Sequence, residues 1–287
     1  MSSDFYKKYN LEIGKFIDNA IDEDIGGIDH SNMSLYKLNS NGTFGIYCNE
    51  SCVIAGLLLT KKIIERHKEF INLKLLATEG SIINANKKIL TLDGPIHIIL
   101  SIERIILNCL QRMSGIATFT RFLSKKISHT SCKILDTRKT TPNFRYPEKW
   151  AVLIGGGYNH RMGLFDSIMI KDTHIDSCGS ISKVLEKTKK YIISKDLKIP
   201  VIVETRNINE IKECLKFDWI DRILLDNMNV NQIKNALKLI NNKIKTEASG
   251  NISSKNIVEI AETGVDYISV GALTHSYKSI DFSMKVI

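Results

Sequence analysis

Cations, carboxylates and small-residue turns recur at one kind of place in this chain. Short apolar runs end in Asp136-Thr137-Arg138-Lys139, Lys171-Asp172, Glu204, Asp226, Ser249-Gly250-Asn251 and Gly271-Ala272. The segment Gly155-Gly156-Gly157-Tyr158-Asn159-His160-Arg161 adds two more donors. Its glycines permit close backbone approach and positive φ. Arg138, Lys139, His160, Arg161 and Lys171 gathered in one cleft would repel each other when empty. A multiply anionic small molecule accounts for such a set, because carboxylates take charge-assisted, partly bidentate hydrogen bonds. Glu204 and Asp226 suit a hard divalent ion such as Mg²⁺, which binds through one or two carboxylates plus substrate phosphates. The Ser249-Gly250-Asn251 and Gly271-Ala272 turns can offer backbone N–H groups to a phosphate. The same residues also fit a solvated basic loop, a salt-bridged carboxylate pair and plain turns.

The elements that must position them show a βα rhythm. Six apolar runs are expected as strands: Lys133–Arg138, Ser167–Asp172, Pro200–Thr205, Arg222–Asn227, Lys245–Gly250 and Tyr267–Gly271. Helical patterns lie between them, including Ile181–Ile193 and Val230–Ile244. This alternation predicts an α/β fold with a parallel sheet or barrel. In such barrels the chemistry sits at the C-terminal strand ends. Six clear strands fall short of eight, so the barrel is expected to be incomplete or distorted.

The N-terminal part mixes element types. Leu11–Ile21 reads as a helix, and Gly42–Leu59 as a strand followed by a helix. Leu90–Leu100 reads as a strand broken at Asp93-Gly94-Pro95, with Ser101 placed to cap a long helix. The apolar stripe of that helix is Ile102, Ile105, Ile106, Cys109, Leu110 and Met113, with Arg104, Asn108 and Arg112 on another face.

Bulk composition narrows the partners. The 287 residues are 43% hydrophobic and 25% charged, which excludes a wholly disordered chain. The net charge of +9 is uneven: residues 1–112 hold 13 basic and 13 acidic groups, residues 113–287 hold 27 and 18. Lys outnumbers Arg 31 to 9, so each Arg carries more information than a surface Lys. The basic residues form no run with interleaved aromatics, which disfavours nucleic acid. No apolar run approaches the ~20 residues that span a bilayer. Met1–Asn10 is polar and lacks a signal-peptide core, so a cytoplasmic protein is expected. The six Cys are scattered, and Cys48-x3-Cys52 has no second pair to complete a zinc site, so reduced thiols are expected.

Several long segments together carry a family resemblance. Asp136-Thr137-Arg138-Lys139-Thr140-Thr141-Pro142, Gly155 through Arg161, and Lys171-Asp172-Thr173-His174-Ile175 closely resemble the quinolinate phosphoribosyltransferases, also called nicotinate-nucleotide pyrophosphorylases (carboxylating). The match continues through Leu225-Asp226-Asn227-Met228, Glu247-Ala248-Ser249-Gly250-Asn251-Ile252 and Ser269-Val270-Gly271-Ala272-Leu273-Thr274-His275-Ser276. Upstream, Glu23-Asp24-Ile25-Gly26, Glu103-Arg104 and Ser114 through Thr118 also look like family segments. Two departures stand out: Asn143-Phe144 where the family has Gly-Leu, and Thr173 where it has Asn.

The resemblance implies an N-terminal α/β sandwich-like domain over 1–112 and an incomplete α/β-barrel domain over 113–275. A C-terminal tail of about 276–287 would pack back on the first. It implies transfer of phosphoribose from phosphoribosyl pyrophosphate to quinolinate, with nicotinate mononucleotide, pyrophosphate and CO₂ as products and Mg²⁺ required. Thr137, Arg138, Lys139, His160, Arg161 and Lys171 would line the quinolinate pocket. Arg104 would reach a neighbouring subunit's site, making a homodimer the smallest active unit. Glu204 and Asp226 would face ribose and metal. Ser249, Gly250, Asn251, Val270, Gly271, Ala272 and His275 would lie by the 5′-phosphate. The pyridine nitrogen is the nucleophile, so no Ser or Cys nucleophile is expected, and Lys139, Lys171 and His160 are candidate acids for the final proton. A nicotinate-using transferase and a Schiff-base lyase acting through Lys139 or Lys171 are the competing enzyme readings.

Overall fold

The computed structural model describes residues 2–67 and 70–287. Helices α1 (Ser2–Lys8), α2 (Asn10–Ile25) and α3 (His30–Leu35) lead into strands β1 (Asn41–Cys48) and β2 (Cys52–Val53). Then come α4 (Leu57–Ile64), β3 (Asn72–Leu75), β4 (Ile82–Ile83), β5 (Lys87–Pro95) and α5 (Ile96–Lys126). The second half runs β6 (Lys133–Leu135), α6 (Arg145–Ile154), β7 (Ile168–Ile170), α7 (Asp172–Cys178), α8 (Ile181–Ser194) and β8 (Val201–Thr205). It ends with α9 (Ile208–Cys214), β9 (Arg222–Asp226), α10 (Val230–Ile240), β10 (Lys245–Ser249), α11 (Ile257–Ala261), β11 (Tyr267–Ser269), α12 (Ala272–His275) and β12 (Phe282–Val286). Among the described residues no helix is long and apolar enough to cross a membrane.

The chain forms two compact units whose segments interleave, cutting the sequence at points other than 112 and 275. The first takes in residues through Phe122, Lys139–Gly157 and Leu273–Ile287. Its antiparallel sheet has the order β12-β1-β5-β3, so the C-terminal strand covers the edge of β1. Phe44 and Ile46 of β1 and Leu90 and Leu92 of β5 are buried at alternate positions, the period of a half-buried strand. The apolar stripe of α5 is buried throughout, while Arg104 and Asn108 are exposed.

Two boundaries differ from expectation here. The strand read over Leu90–Leu100 stops at Pro95, at the expected break, but the residues beyond the break are helical, since α5 begins at Ile96. Pro95 lacks an N–H for a ladder, and its fixed φ suits the approach to a helix. Ser101 therefore lies inside α5 rather than capping it, with its hydroxyl donating to His97 O at 2.7 Å and to Asp29 Oδ2 at 2.8 Å. The glycines after α6 serve packing. A Cβ on Gly155 would lie 2.6 Å from Ala117 O of α5, and one on Gly157 would lie 2.9 Å from Thr120 Cγ2.

The second unit comprises Leu123–Arg138 and Tyr158–Ala272. Its six strands are parallel, in the order β6-β11-β10-β9-β8-β7. This is the cyclic order of an α/β barrel interrupted between its first and second strands, and it matches the incomplete barrel expected. A parallel bridge between Leu135 and Tyr158 extends the β6 edge. Val201, Val203, Ile223, Leu225, Ala248 and Ile268 bury the strands. Helix α10 stops four residues short of Ile244, because Asn241 turns left-handed at φ 48° and its N–H closes on Leu237 O.

Candidate active site

The C-terminal ends of the parallel strands collect most of the expected residues of the second unit. Glu204 is the penultimate residue of β8 and Asp226 the last of β9. The register pairs Glu204 with Leu224 and Thr205 with Leu225, so Asp226 stands one step beyond. Burial pushes the Glu204 carboxyl up, the Asp226 charge adds to this, and Lys171 opposes it. The Glu204 carboxyl therefore senses the charges of two other expected site residues. Among the described residues no group of three His, Cys, Asp or Glu could hold a metal alone. Two carboxylates without a third ligand fit a divalent ion that arrives with phosphate oxygens of its own.

Asn227 ties the next two strand ends together. Its amide donates to Asp226 Oδ2 at 2.8 Å, and its Oδ1 accepts from Asn251 Nδ2 at 3.1 Å. Its backbone N–H donates to Ser249 O at 2.8 Å. Gly250 (φ 96°) and Asn251 (φ 51°) are both left-handed, and a Cβ on Gly250 would run into the Asn227 side chain. The Ser249-Gly250-Asn251 turn is thus a shaped loop held against β9. Val270 and Gly271 follow β11, where Val270 N donates to Leu135 O at 2.9 Å, and Ala272 begins α12.

Buried carboxylates hold the Asn159-His160 segment of this unit. Thr137 and Arg138 directly follow β6 and the fully buried Asp136. Asp136 accepts from Asn159 Nδ2 at 2.6 Å and from His160 N at 2.8 Å. His160 is buried, its Nδ1 accepts from Arg161 N at 2.7 Å, and its Nε2 lies 3.4 Å from Glu247 Oε2. Burial and then the neighbouring charge of Arg138 hold the Arg161 guanidinium below its ordinary pKa. Those two arginines are thus brought together. Arg161 also donates through Nη1 to Ser167 O at 3.0 Å. Lys171 precedes α7, and its backbone N–H donates to His174 Nδ1 at 3.0 Å. Thr173, the second departure, donates through its N–H to Asp172 Oδ1 at 2.6 Å.

The first unit holds the remaining expected residues. Lys139 and His275 line one cleft of about 590 Å³ together with Arg112, Thr140, Thr141, Thr274, Tyr277 and Ser279. The Thr274 hydroxyl donates to Lys139 O at 2.8 Å. Below the cleft, the fully buried Glu148 accepts from Arg112 Nε at 2.9 Å, Arg112 Nη2 at 2.6 Å and Thr141 N at 3.1 Å. Arg112 also bonds the Thr141 hydroxyl and lies over the Phe144 and Tyr277 rings. The first departure explains itself: Asn143 has φ 62°, a conformation Asn tolerates where Gly is commonest. Phe144 adds a ring beneath Arg112. Arg104 is exposed on α5 and is not among the residues lining this cleft.

Sequence reasoning singled out neither Glu148 nor Glu247 and left Asn227 and Arg112 without a role. A buried-strand charge is the one signal that could have marked Glu247. Glu148 has no counterpart signal, because its partner stands 36 residues away.

Comparison with known proteins bears on the whole chain. Residues 29–114 match the family model for the quinolinate phosphoribosyl transferase N-terminal domain, and residues 116–285 match that for the C-terminal domain. The chain is 41% identical over 251 residues to the chloroplastic nicotinate-nucleotide pyrophosphorylase [carboxylating] of Arabidopsis thaliana, covering 83% of this chain and 72% of that one. It is 39% identical over 282 residues to quinolinate phosphoribosyltransferase [decarboxylating] 1b of Nicotiana tabacum, covering 93% and 80%. The solved structure of the nicotinate-nucleotide pyrophosphorylase from Francisella tularensis superposes with a TM-score of 0.88 at 37% identity, covering 97% of each chain.

Proposed function

The chain belongs to the quinolinate phosphoribosyltransferase family, and from that premise we propose how its own residues carry the reaction. The enzyme transfers phosphoribose from phosphoribosyl pyrophosphate to quinolinate with decarboxylation, giving nicotinate mononucleotide, pyrophosphate and CO₂, a step of NAD biosynthesis. The observation that carries the residue-level reading is the sorting of charge at the strand ends: Arg161 beside Arg138, and Glu204 beside Asp226.

Arg138, Lys139, Arg161 and Lys171 bind the two quinolinate carboxylates, with Thr137 and His160 completing that wall. Arg161 is part-buried beside the exposed Arg138, and an anion bound between them offsets their mutual repulsion. The pyridine nitrogen attacks the sugar carbon as pyrophosphate departs. Glu204 or Asp226 stabilises the positive charge that develops on the sugar. Ser249, Gly250, Asn251, Val270, Gly271, Ala272 and His275 hold the 5′-phosphate. Glu204 and Asp226 would help hold Mg²⁺, which would neutralise pyrophosphate charge.

Ribosylation makes the pyridine nitrogen cationic, so it accepts the electrons released when the adjacent carboxylate leaves as CO₂. The ring carbon then takes a proton. His160 Nε2 faces Glu247, which favours Lys139 or Lys171 as the acid. The assembly we propose is at least a homodimer, with the exposed Arg104 of each subunit reaching the other's site. The setting we propose is cytoplasmic.

Purified protein incubated with quinolinate, phosphoribosyl pyrophosphate and Mg²⁺ should release nicotinate mononucleotide and CO₂ in equal amounts. Turnover of nicotinate in place of quinolinate, without CO₂, would overturn the assignment.

A further inference from the structure

Glu247 sits in the middle of β10, fully buried, where an aliphatic residue would be the default. One of its oxygens is shared. Oε2 accepts from Arg222 Nη1 at 2.7 Å and lies 3.4 Å from His160 Nε2. Arg222 is itself anchored over the Tyr267 ring, 4.1 Å from its centroid. On the far side of the imidazole, Nδ1 accepts the Arg161 backbone N–H at 2.7 Å. An accepting Nδ1 places the ring proton on Nε2, the atom 3.4 Å from the carboxylate. The chain of contacts therefore runs Tyr267, Arg222, Glu247, His160, Arg161.

We propose that Glu247 is a positioning residue for quinolinate: acting through His160, it sets the backbone and fork of Arg161 against a substrate carboxylate. The segment is clamped from a second side, since Asp136 takes the His160 N–H at 2.8 Å. Ser167 O fixes one end of the guanidinium. Burial works to raise the Glu247 carboxyl, and His160 and Arg222 more than offset it, so the group lies below the ordinary carboxylate range. An ionised carboxylate is the stronger acceptor for an Nε2–H. Glu247 Oε1 is buried with no hydrogen-bond partner among the described residues. A Gln there would strand its NH₂ in that position or turn it against Arg222. The substitution thus loosens the support without removing any group the reaction scheme assigns to substrate.

This inference rests on Arg161 binding quinolinate, and the test separates the two. Wild-type turnover of quinolinate checks the reading itself. Glu247→Gln is then expected to raise the quinolinate KM about tenfold while the phosphoribosyl pyrophosphate KM stays unchanged, as misplacement of one binding group predicts. Adding Glu247→Gln to His160→Ala should raise the quinolinate KM no further than His160→Ala alone. Equal losses toward both substrates, or additive losses in the double variant, would overturn the proposal. Should Glu247→Gln fail to fold, ¹⁵N-histidine NMR of the wild type decides, with the His160 signal assigned by its loss in His160→Ala. The proposal requires the Nε2–H tautomer, and the Nδ1–H tautomer overturns it.

Discussion

Glu204 and Asp226 stand in the last two positions of neighbouring parallel strands, and the Asp226 charge adds to burial in pushing the Glu204 carboxyl above its ordinary range. A group whose folded value is raised favours the folded state fully below the unfolded carboxylate range. That contribution is lost as pH rises through the folded value. Glu204→Gln removes the ionised form and should therefore melt higher than wild type at pH 8. The gap should close toward pH 4, and scanning calorimetry across that range reads it. Turnover should fall by about a hundredfold, the usual size for losing one electrostatic stabiliser. Identical melting at every pH would mean Glu204 bears no folded-state burden.

Asp226→Asn keeps the shape and removes one of the two charges. If the pair receives a divalent ion riding on phosphate oxygens, the variant needs more Mg²⁺ for half-maximal turnover. A shift of about tenfold is expected for one weakened carboxylate contact. Titrating Mg²⁺ at fixed phosphoribosyl pyrophosphate measures it, and an unchanged half-saturation point counts against the metal role.

Gly250 and Gly264 separate strain from fit. Both have positive φ, near 96° and 92°, but nothing lies within 4 Å of a Cβ at Gly264, whereas at Gly250 the Asn227 side chain fills the space. Gly264→Ala should cost about 1 kcal/mol from backbone strain alone. Gly250→Ala should cost about 2–3 kcal/mol because Asn227 must also move. It should further raise the KM for phosphoribosyl pyrophosphate and spare that for quinolinate. Denaturant unfolding with steady-state kinetics on both variants checks the pair.

Arg112→Ala would leave the fully buried Glu148 without its main partner, a change that typically costs about 3–5 kcal/mol. Burial already raises the Glu148 carboxyl against the pull of Arg112. Without Arg112 it rises further. The damage should therefore be largest at pH 8 and smaller at pH 5, where the carboxyl takes up a proton. Urea midpoints at the two pH values test the sign.

The βα rhythm made the parallel sheet legible, because each buried strand is a short apolar run stopped by a polar or Gly residue. Glu204, Asp226 and the Ser249-Gly250-Asn251 turn stand at those stops and were visible for that reason. Pairings across the fold were not. Nothing in sequence says that Glu247 reaches His160, 87 positions away, or that Arg112 reaches Glu148. The start of α5 was hidden because Leu90–Leu100 is apolar on both sides of Pro95, and an apolar run alone does not distinguish strand from helix. The Gly155-Gly156-Gly157 run resembled a ligand loop, yet Gly155 and Gly157 make room for α5.

Arg104 supplies the last test, because its side chain is exposed on α5 while its proposed partner is a substrate carboxylate in another subunit's site. Arg104→Ala and Arg161→Ala should each be nearly inactive, by about a hundredfold or more for loss of a charge-assisted clamp. Mixed after subunit exchange, the two variants form heterodimers in which one of the two sites carries both intact arginines. Half of the dimers in an equal mixture are then heterodimers, so turnover should recover to about a quarter of wild type by random pairing. Exchange is followed independently by native mass spectrometry of differently tagged subunits. Proven exchange without recovered turnover would place Arg104 and Arg161 in the same subunit's site and remove the requirement for a dimer.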